Sequence, residues 1–177
     1  MDEVGKGALA GPLTIGVVVV DEDKVLDGLR DSKRMSPKKR EAMFGPICDW
    51  VFDWGIGYAW PEECDALGMD QAQRVAARLA YQNLVSHAEI AEVMVDGPWE
   101  FYEGATCVVG GDDTVPAISA ASVLAKVTRD RLMVRYAEQY PEYGFEKHKG
   151  YGTPQHLAAI EEHGACPIHR VSWSTFQ

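Results

Sequence analysis

The sequence contains no long apolar run and no paired cysteines. Its longest run of β-branched apolar residues, 17–20, falls far short of the ~18 apolar residues that a membrane helix needs. The cysteines, Cys48, Cys64, Cys107 and Cys166, are scattered without a CxxC pair, which favours free thiols in a reducing compartment. No secretory leader pattern is present. We therefore expect a cytoplasmic protein that does not associate with a membrane.

Basic residues are the minority charge: 17 lysines and arginines stand against 27 aspartates and glutamates, for a net charge of -10. Most of the basic residues fall in two stretches, 30–40 and 126–149. These stretches could form two basic patches for nucleic acid, although solvated surface charge is the commoner explanation. The length of 177 residues and the 46% hydrophobic content suit one domain with an apolar core, spanning 1–177.

Strand and helix patterns alternate along the chain and predict an α/β protein. Residues 13–20 are typical of a strand buried on both faces. In 51–58, Phe52, Trp54, Ile56 and Tyr58 alternate with Asp53 and two glycines, which predicts a strand with one buried face. Further strands are predicted at 91–95 and 106–109.

Helix starts and stops complete this pattern. Asp31-Ser32 predicts a turn, and Ser36-Pro37 predicts an N-cap and first residue for a helix to about residue 49. The other predicted helices are 61–67, 70–85, 116–140 and 154–163. The half 118–125 is small and apolar on all sides, which indicates burial, and 110–113 is predicted as a loop.

Four acidic residues stand where acids are unusual. Asp2 and Glu3 open the chain, Asp96 ends an apolar strand, and Asp112 precedes the buried helix. A carboxylate at a buried strand end is desolvated unless it is paired or binds a cation. Mg²⁺ prefers such oxygen ligands, and two ions can hold the attacking water and the leaving oxygen of a phosphodiester. Taken singly, each acid is more often a surface carboxylate, and spacing alone does not show that they converge.

Several motifs, in order, resemble the ribonuclease HII family. Residues 2–12 (DEVGKGALAGP) are similar to its DEAGRGPLAGP opening, 31–36 (DSKRMS) to its DSKKLS, and 118–130 to its SIAAASILAKVTRD signature. The stretches VDG at 95–97, GD at 111–112, YGF at 143–145, HKGYGT at 148–153 and HRVS at 169–172 match further family motifs. The resemblance covers nearly the whole chain.

The resemblance implies an RNase H-like fold, with a mixed central β-sheet flanked by helices and a helical C-terminal part. It implies an endoribonuclease that hydrolyses the RNA strand of RNA–DNA hybrids. It also implies cuts 5′ to ribonucleotides embedded in duplex DNA, which leave 3′-hydroxyl and 5′-phosphate ends. Carried over by position, the catalytic carboxylates and metal ligands are Asp2, Glu3, Asp96 and Asp112, holding two Mg²⁺ or Mn²⁺ ions.

Selectivity for RNA must come from the 2′-hydroxyl. The family holds the ribose with a GRG motif and a tyrosine, which correspond here to Gly5, Lys6, Gly7 and Tyr151, with Lys6 in place of the arginine. Glycine suits this role because a backbone without Cβ can approach the sugar closely. Further phosphate contacts, each of which could equally be a solvated charge, are Lys33, Arg34, Lys126 and Lys149.

The start of the chain differs from the family, whose members carry several residues before the Asp-Glu pair. Met1 directly precedes Asp2 here, so we expect a shortened first strand in which Asp2 is held less firmly. Two alternatives stay open. One is a hybrid-duplex-binding fragment with weakened catalysis, and the other is a different RNase H-fold metal nuclease, such as a type III relative or a structure-specific DNA nuclease. We expect a monomer.

Two further patterns, a zinc-like spacing and a pair of serines, have ordinary structural explanations. His163, Cys166 and His169 have the spacing of zinc ligands, but no fourth ligand lies nearby in the sequence, so we expect no zinc site. Ser119 and Ser122 belong to the small-residue helix and are predicted to allow close packing.

Overall fold

Strands and helices alternate along the chain in the computed structural model, which describes residues 1–21, 26, 28–29, 35–85 and 89–176. The strands are β1 (Asp2–Val4), β2 (Leu13–Val19), β3 (Asp53–Ala59), β4 (Met94–Asp96) and β5 (Thr106–Val108). The helices are α1 (Pro37–Trp50), α2 (Pro61–Leu67), α3 (Met69–Gln82), α4 (Gly111–Thr114), α5 (Pro116–Gln139), α6 (Phe145–His148) and α7 (Pro154–His163). Short 3₁₀ segments lie at 141–143 and 174–176.

The strands form one mixed sheet that is joined at Met1. β1, β2 and β3 pair antiparallel in that order, and β4 pairs with β5 in parallel. The Met1 amine donates to the Met94 carbonyl oxygen at 2.6 Å, and the Met1 carbonyl accepts from the Asp96 N–H at 3.0 Å. In parallel pairing, one residue bonds to the two residues that flank its partner on the next strand. Met1 bonds in this way to the two residues that flank Val95. The strand order is therefore β3–β2–β1–β4–β5, and the predicted RNase H-like α/β fold is confirmed.

Two helices cover opposite faces of this sheet and approach it through strand glycines. A Cβ at Gly16 of β2 would lie 2.5 Å from the Ala121 carbonyl oxygen of α5. On the other face, a Cβ at Gly57 of β3 would lie 1.9 Å from the Ala76 carbonyl oxygen of α3. Both distances are shorter than real Cβ contacts, so the helix backbones sit where any larger side chain would be.

Strand β3 is covered on both faces, whereas the sequence pattern predicted one buried face. Its fully buried positions include Gly55 and Gly57, which face α3, while Trp54 and Ile56 pack against an apolar cluster of α1 and α5 on the other face. Trp54 and Tyr58 are only half-buried, and Phe52, just before the strand, is 65% exposed. Hydrophobicity alone misjudged this strand because its tightest contact is between backbones.

Substituting alanine for Gly57 is therefore expected to lower the free energy of unfolding by about 1–3 kcal/mol, the usual cost of overpacking a core. Urea denaturation of the two proteins measures this difference. Gly7→Ala is the matched control, since no described atom lies within 4 Å of a Cβ added there. Equal stability of the Gly57→Ala variant and the control would contradict the packing described.

Most predicted elements are confirmed, with shifts at their ends. Ser36 caps α1, its hydroxyl accepting from the Lys39 N–H at 3.3 Å. Helix α3 ends at Gln82 rather than at 85, and β4 begins at Met94 rather than at 91. The turn predicted at 31–32 lies outside the described residues.

The predicted loop 110–113 is wrong, because most of it forms helix α4. Gly110 takes the left-handed conformation (φ +69°) and so redirects the chain into the turn. The Val115 N–H then donates to the Gly111 carbonyl at 2.8 Å and closes that turn. A pair of glycines followed by two aspartates is typical of a loop, and nothing in their composition distinguishes it from this single helical turn.

Helix α5 runs through the centre of the molecule and confirms the predicted burial. Every residue of 118–125 is buried, and Ser119 and Ser122 lie among them, as close packing requires. C-terminal to α5, the chain is helical and encloses a second apolar cluster that includes Met133, Tyr143 and Phe145. Within the described residues, no helix is both long and apolar enough to cross a membrane.

Candidate active site

The chain segments that carry the predicted carboxylates meet where β1 and β4 lie side by side. Asp2 in β1 is 3% exposed and Asp112 in α4 is 6% exposed. The Asp112 N–H donates to Asp96 Oδ1 at 3.3 Å, which ties α4 to the end of β4. Asp2 lies in the three-residue strand β1, which pairs with β2 on one side, and Met1 bonds to β4 on the other.

Asp2 and Glu3 point to opposite faces of the sheet, as adjacent strand residues do. Asp2 lies opposite Gly16, the glycine whose Cβ position faces Ala121 of α5. Glu3 lies on the α3 side, where Gln73 of α3 donates an amide N–H to Glu3 Oε2 at 3.4 Å.

Asp96 and Asp112 share the α5 side with Asp2. Val95 packs in the apolar cluster that contains Ala76 of α3, so the alternation of strand side chains turns the next residue, Asp96, to the α5 side. Asp112 belongs to α4, which leads directly into α5. Three carboxylates therefore lie on one face of the sheet, and Glu3 lies across β1 from them.

The carboxylates influence one another electrostatically. Burial, and next the negative charge of Asp2, raise the pKa of Glu3 to about 7, and Asp96 adds to this rise. The positive charge of Lys6 opposes it. The Lys6 ammonium donates to Gln73 Oε1 at 2.9 Å, so Gln73 bridges Lys6 and Glu3.

The donor set fits a hard divalent cation. All four side chains offer carboxylate oxygens, the ligands that Mg²⁺ and Mn²⁺ favour, and a cation offsets the repulsion that raises the pKa of Glu3. In the described part of the chain, no three aspartate, glutamate, histidine or cysteine side chains already stand in a metal-holding arrangement. Glu3 lies close enough to Asp2 and Asp96 for both carboxylates to raise its pKa.

The predicted ribose-binding residues come together beside this cluster. Gly5 has φ +85°, and a Cβ there would lie 2.2 Å from Nε of Arg129. Gly7 is exposed. Ala8 forms an antiparallel bridge with Tyr151, whose ring centroid lies 5.5 Å from the Arg129 guanidinium carbon. The segment 5–7, called the glycine loop, and Tyr151 therefore both lie against the buried Arg129.

Arg129 is fully buried and joins two backbone segments. Its guanidinium donates at 2.8–3.0 Å to the carbonyl oxygens of Ala10, Pro12 and Lys149. Burial lowers the pKa of Arg129. The guanidinium thus fixes the glycine loop against the segment that precedes Tyr151.

A second buried arginine, Arg170, supports the same loop from the C-terminal motif. It donates to the Lys6 carbonyl at 3.0 Å and twice to the Gly11 carbonyl, at 2.9 and 3.1 Å. Asp65 of α2 accepts hydrogen bonds from the backbone N–H groups of the next two residues, 171 and 172. The motif at residues 169–172 therefore holds residues 6–11 in place.

Two of the predicted phosphate-binding lysines lie near Tyr151. The Lys126 ammonium is 5.5 Å from the Tyr151 ring centroid and 2.8 Å from Asp130 Oδ1. The Lys149 ammonium donates to the Glu146 carbonyl. Burial lowers the pKa of Lys149, while nearby Asp130 raises it. Lys33 and Arg34 lie outside the described residues.

The sequence analysis gave no role to Gln73 or to the two arginines. A signal for Gln73 was present, since it stands on the same helical face as Ala76, Ala77 and Ala80, where a polar residue needs a buried partner. Arg129 and Arg170 have no such signal, because their partners are backbone carbonyls that any sequence would supply.

Two members of the zinc-like pattern lie in contact, since Cys166 Sγ is 3.1 Å from His169 Nδ1. The His163 side chain is at the surface beside Glu162, at 3.8 Å. His169 is buried and bonded to His156, with the Cys166 N–H donating to its Nδ1 at 2.9 Å.

Comparison with known proteins gives one consistent relationship. The family model described as Ribonuclease HII matches residues 1–176. Ribonuclease HII of Burkholderia mallei is 44% identical over 174 residues, covering 98% of this chain and 81% of that protein. That of Ralstonia nicotianae is 44% identical over 178 residues, covering 98% and 75%.

Solved structures agree. Ribonuclease H2 of Pyrococcus horikoshii has a TM-score of 0.80 at 29% identity, covering 99% of this chain and 92% of that one. Bst RNase HIII, solved in complex with Mn²⁺, has a TM-score of 0.72 at 15% identity, covering 99% and 66%, and supports the fold alone. The chain therefore belongs to the ribonuclease HII family, whose members are metal-dependent endonucleases.

Proposed function

We propose that this protein hydrolyses the RNA strand of RNA–DNA hybrids and cuts duplex DNA on the 5′ side of embedded ribonucleotides, as a cytoplasmic monomer. One observation carries the proposal. The single short segment 2–7 holds both a carboxylate pair and the glycine loop, and buried partners fix it at each end. Scissile phosphate and ribose would then be read by neighbouring residues of one rigid segment.

In this proposal Asp2, Glu3, Asp96 and Asp112 bind two Mg²⁺ or Mn²⁺ ions. When bound, such ions activate water and neutralise charge on the leaving oxygen. Water adds to phosphorus as the bond to O3′ breaks, which leaves a 3′-hydroxyl and a 5′-phosphate. The Asp112 N–H bond to Asp96 keeps these two groups in register before substrate arrives.

Ribose recognition is assigned to Gly5, Lys6, Gly7 and Tyr151. The exposed backbone of Gly7 lets a sugar approach closely, and Tyr151 offers a ring face and a hydroxyl. Phosphate contacts are assigned to Lys33, Arg34, Lys126 and Lys149, which makes binding salt-dependent.

The test is cleavage of a DNA duplex that carries one ribonucleotide, with Mg²⁺ or Mn²⁺, beside an RNA–DNA hybrid and an all-DNA duplex. We expect a single cut 5′ to the ribonucleotide and none in the all-DNA duplex. Binding without cleavage would favour a weakened duplex-binding protein, and cleavage of the all-DNA duplex would favour a DNA nuclease of the same fold.

Gly7→Ala separates ribose reading from folding. No described atom lies within 4 Å of the added Cβ, so unfolding is expected to be unchanged. The methyl group would occupy space that the sugar needs, so kcat/KM on the single-ribonucleotide duplex is expected to fall about tenfold or more, equivalent to roughly 1.4 kcal/mol. Steady-state kinetics with a thermal melt of each protein measures both. Unchanged kcat/KM would remove Gly7 from the substrate site.

A further inference from the structure

Three buried histidines lie directly beneath the segment that carries Tyr151. His148, His156 and His169 are 8%, 0% and 3% exposed. The rings of His148 and His156 stack with centroids 4.4 Å apart, and Nε2 of His156 lies 3.0 Å from Nε2 of His169. None of the three contacts a predicted metal ligand in the hydrogen bonds found among the described residues, so the proposed chemistry leaves them without a role.

With both rings neutral, the hydrogen bonds between His156 and His169 allow one set of tautomers. His156 Nδ1 lies 3.0 Å from the Tyr151 carbonyl oxygen, and a carbonyl can only accept, so Nδ1 carries the proton. In a neutral ring, His156 Nε2 must then accept from an Nε2–H of His169. That leaves His169 Nδ1 as an acceptor, and the Cys166 N–H donates to it at 2.9 Å. Every hydrogen bond in the series Cys166–His169–His156–Tyr151 is satisfied when both rings are neutral.

His148 holds the same segment through a separate pair of bonds. Its Nε2 donates to the Tyr143 carbonyl at 2.8 Å, and its Nδ1 accepts from the Gly150 N–H at 3.2 Å. Burial lowers the pKa of all three histidines, that of His156 to about 4. Burial therefore favours the neutral rings that this set of tautomers requires.

We propose that the chain Cys166–His169–His156 positions Tyr151, so that His156 acts as a positioning residue for ribose recognition. The proposal rests on the role of Tyr151 in the proposed function. The Tyr151 carbonyl accepts from His156, while the Tyr151 ring centroid lies 5.5 Å from the Lys126 ammonium and 5.5 Å from the Arg129 guanidinium carbon. Loss of the bond beneath would let the backbone of Tyr151 move and carry the ring with it.

The first test examines the hydrogen-bond chain Cys166–His169–His156 directly and needs no activity measurement. Long-range ¹H–¹⁵N NMR of the full chain at neutral pH distinguishes the two neutral tautomers and the charged ring. We expect His156 with a proton on Nδ1 only and His169 with a proton on Nε2 only. A proton on Nε2 of His156, or a charged ring at either position, would contradict the proposed hydrogen-bond chain even if the wild-type protein cut no substrate.

The second test reads the consequence for substrate. His156→Leu removes both nitrogens, whereas His156→Asn keeps an amide donor near the position of Nδ1. We expect kcat/KM on the single-ribonucleotide duplex to fall at least about tenfold in the leucine variant and to recover largely in the asparagine variant. His163→Leu, at the exposed end of the same helix α7, is the matched control and is expected to match the wild type.

A double-mutant cycle with Tyr151→Phe separates positioning from general loss of structure. If His156 acts through Tyr151, adding Tyr151→Phe to His156→Leu costs little more than His156→Leu alone. Additive losses, or equal losses in the leucine and asparagine variants, would mean that His156 only packs the core. Wild-type cleavage with no effect of Tyr151→Phe would end the proposal, whereas no wild-type cleavage would instead contradict the proposed function.

Discussion

The Asp96→Asn variant is expected to lose at least about a hundredfold in cleavage rate while it stays folded and binds the hybrid duplex. Changes in the groups around metal ligands already cost about 10–100-fold, and a ligand itself should cost more. Asparagine keeps an Oδ1 that can accept from the Asp112 N–H, as aspartate does at 3.3 Å. The substitution therefore removes charge and leaves the local hydrogen bond in place.

Stability should move in the opposite direction to activity. The charge of Asp96 contributes to the raised pKa of Glu3, so its removal relieves repulsion, and the melting temperature without metal is expected to stay equal or rise. Added Mg²⁺ or Mn²⁺ should raise the melting temperature of the wild type more than that of the variant. Single-turnover cleavage and thermal melts, with and without metal, measure both quantities.

Asp113→Asn is the matched control for this prediction. Asp113 is the neighbour of Asp112 in the same short helix but is exposed, so it makes the same charge change outside the cluster. We expect cleavage close to that of the wild type. Equal rates for the Asp96 and Asp113 variants would show that the cluster on the α5 side of the sheet is not where cleavage occurs.

Much of the fold was predictable from the sequence because its elements are marked by local chemistry. The β-branched run in β2, the Ser36 cap of α1 and the small-residue half of α5 each follow from the preferences of the residues themselves. The errors occurred where backbone geometry decides. Gly57 has no side chain that would mark it as buried, yet it is where α3 touches the sheet.

Motif order assigned four carboxylates to one site, and that assignment stays a prediction. The structure brings the segments that carry them together, in an arrangement that the sequence did not indicate. The sequence could not show that Glu3 lies on the α3 side of β1, since this depends on which helix covers each face. It also could not show that α4 carries Asp112 to Asp96. Both facts come from tertiary packing, which spacing along a chain does not contain.

The sequence does not indicate the structural role of the two buried arginines, and the second prediction with a large expected effect concerns one of them. Arg129→Met is expected to lower the free energy of unfolding by at least about 3 kcal/mol. Methionine fills a similar length but cannot donate, so the carbonyls of Ala10, Pro12 and Lys149 lose their bonds. An unsatisfied buried acceptor costs about 1–3 kcal/mol, and three are left together. Urea denaturation of variant and wild type measures the loss.

Arg131→Met provides the control on the same helix. Arg131 is exposed and donates to Glu41 at the surface, and such pairs contribute about 0–1 kcal/mol. Arg129→Lys adds a further distinction, because lysine keeps the positive charge but lacks the planar fork that reaches three acceptors. If charge beneath Tyr151 were the main contribution of Arg129, the lysine variant would approach wild-type stability. If the fork that joins the glycine loop to the segment before Tyr151 is what matters, lysine and methionine will be similarly destabilised, and this is the result we expect.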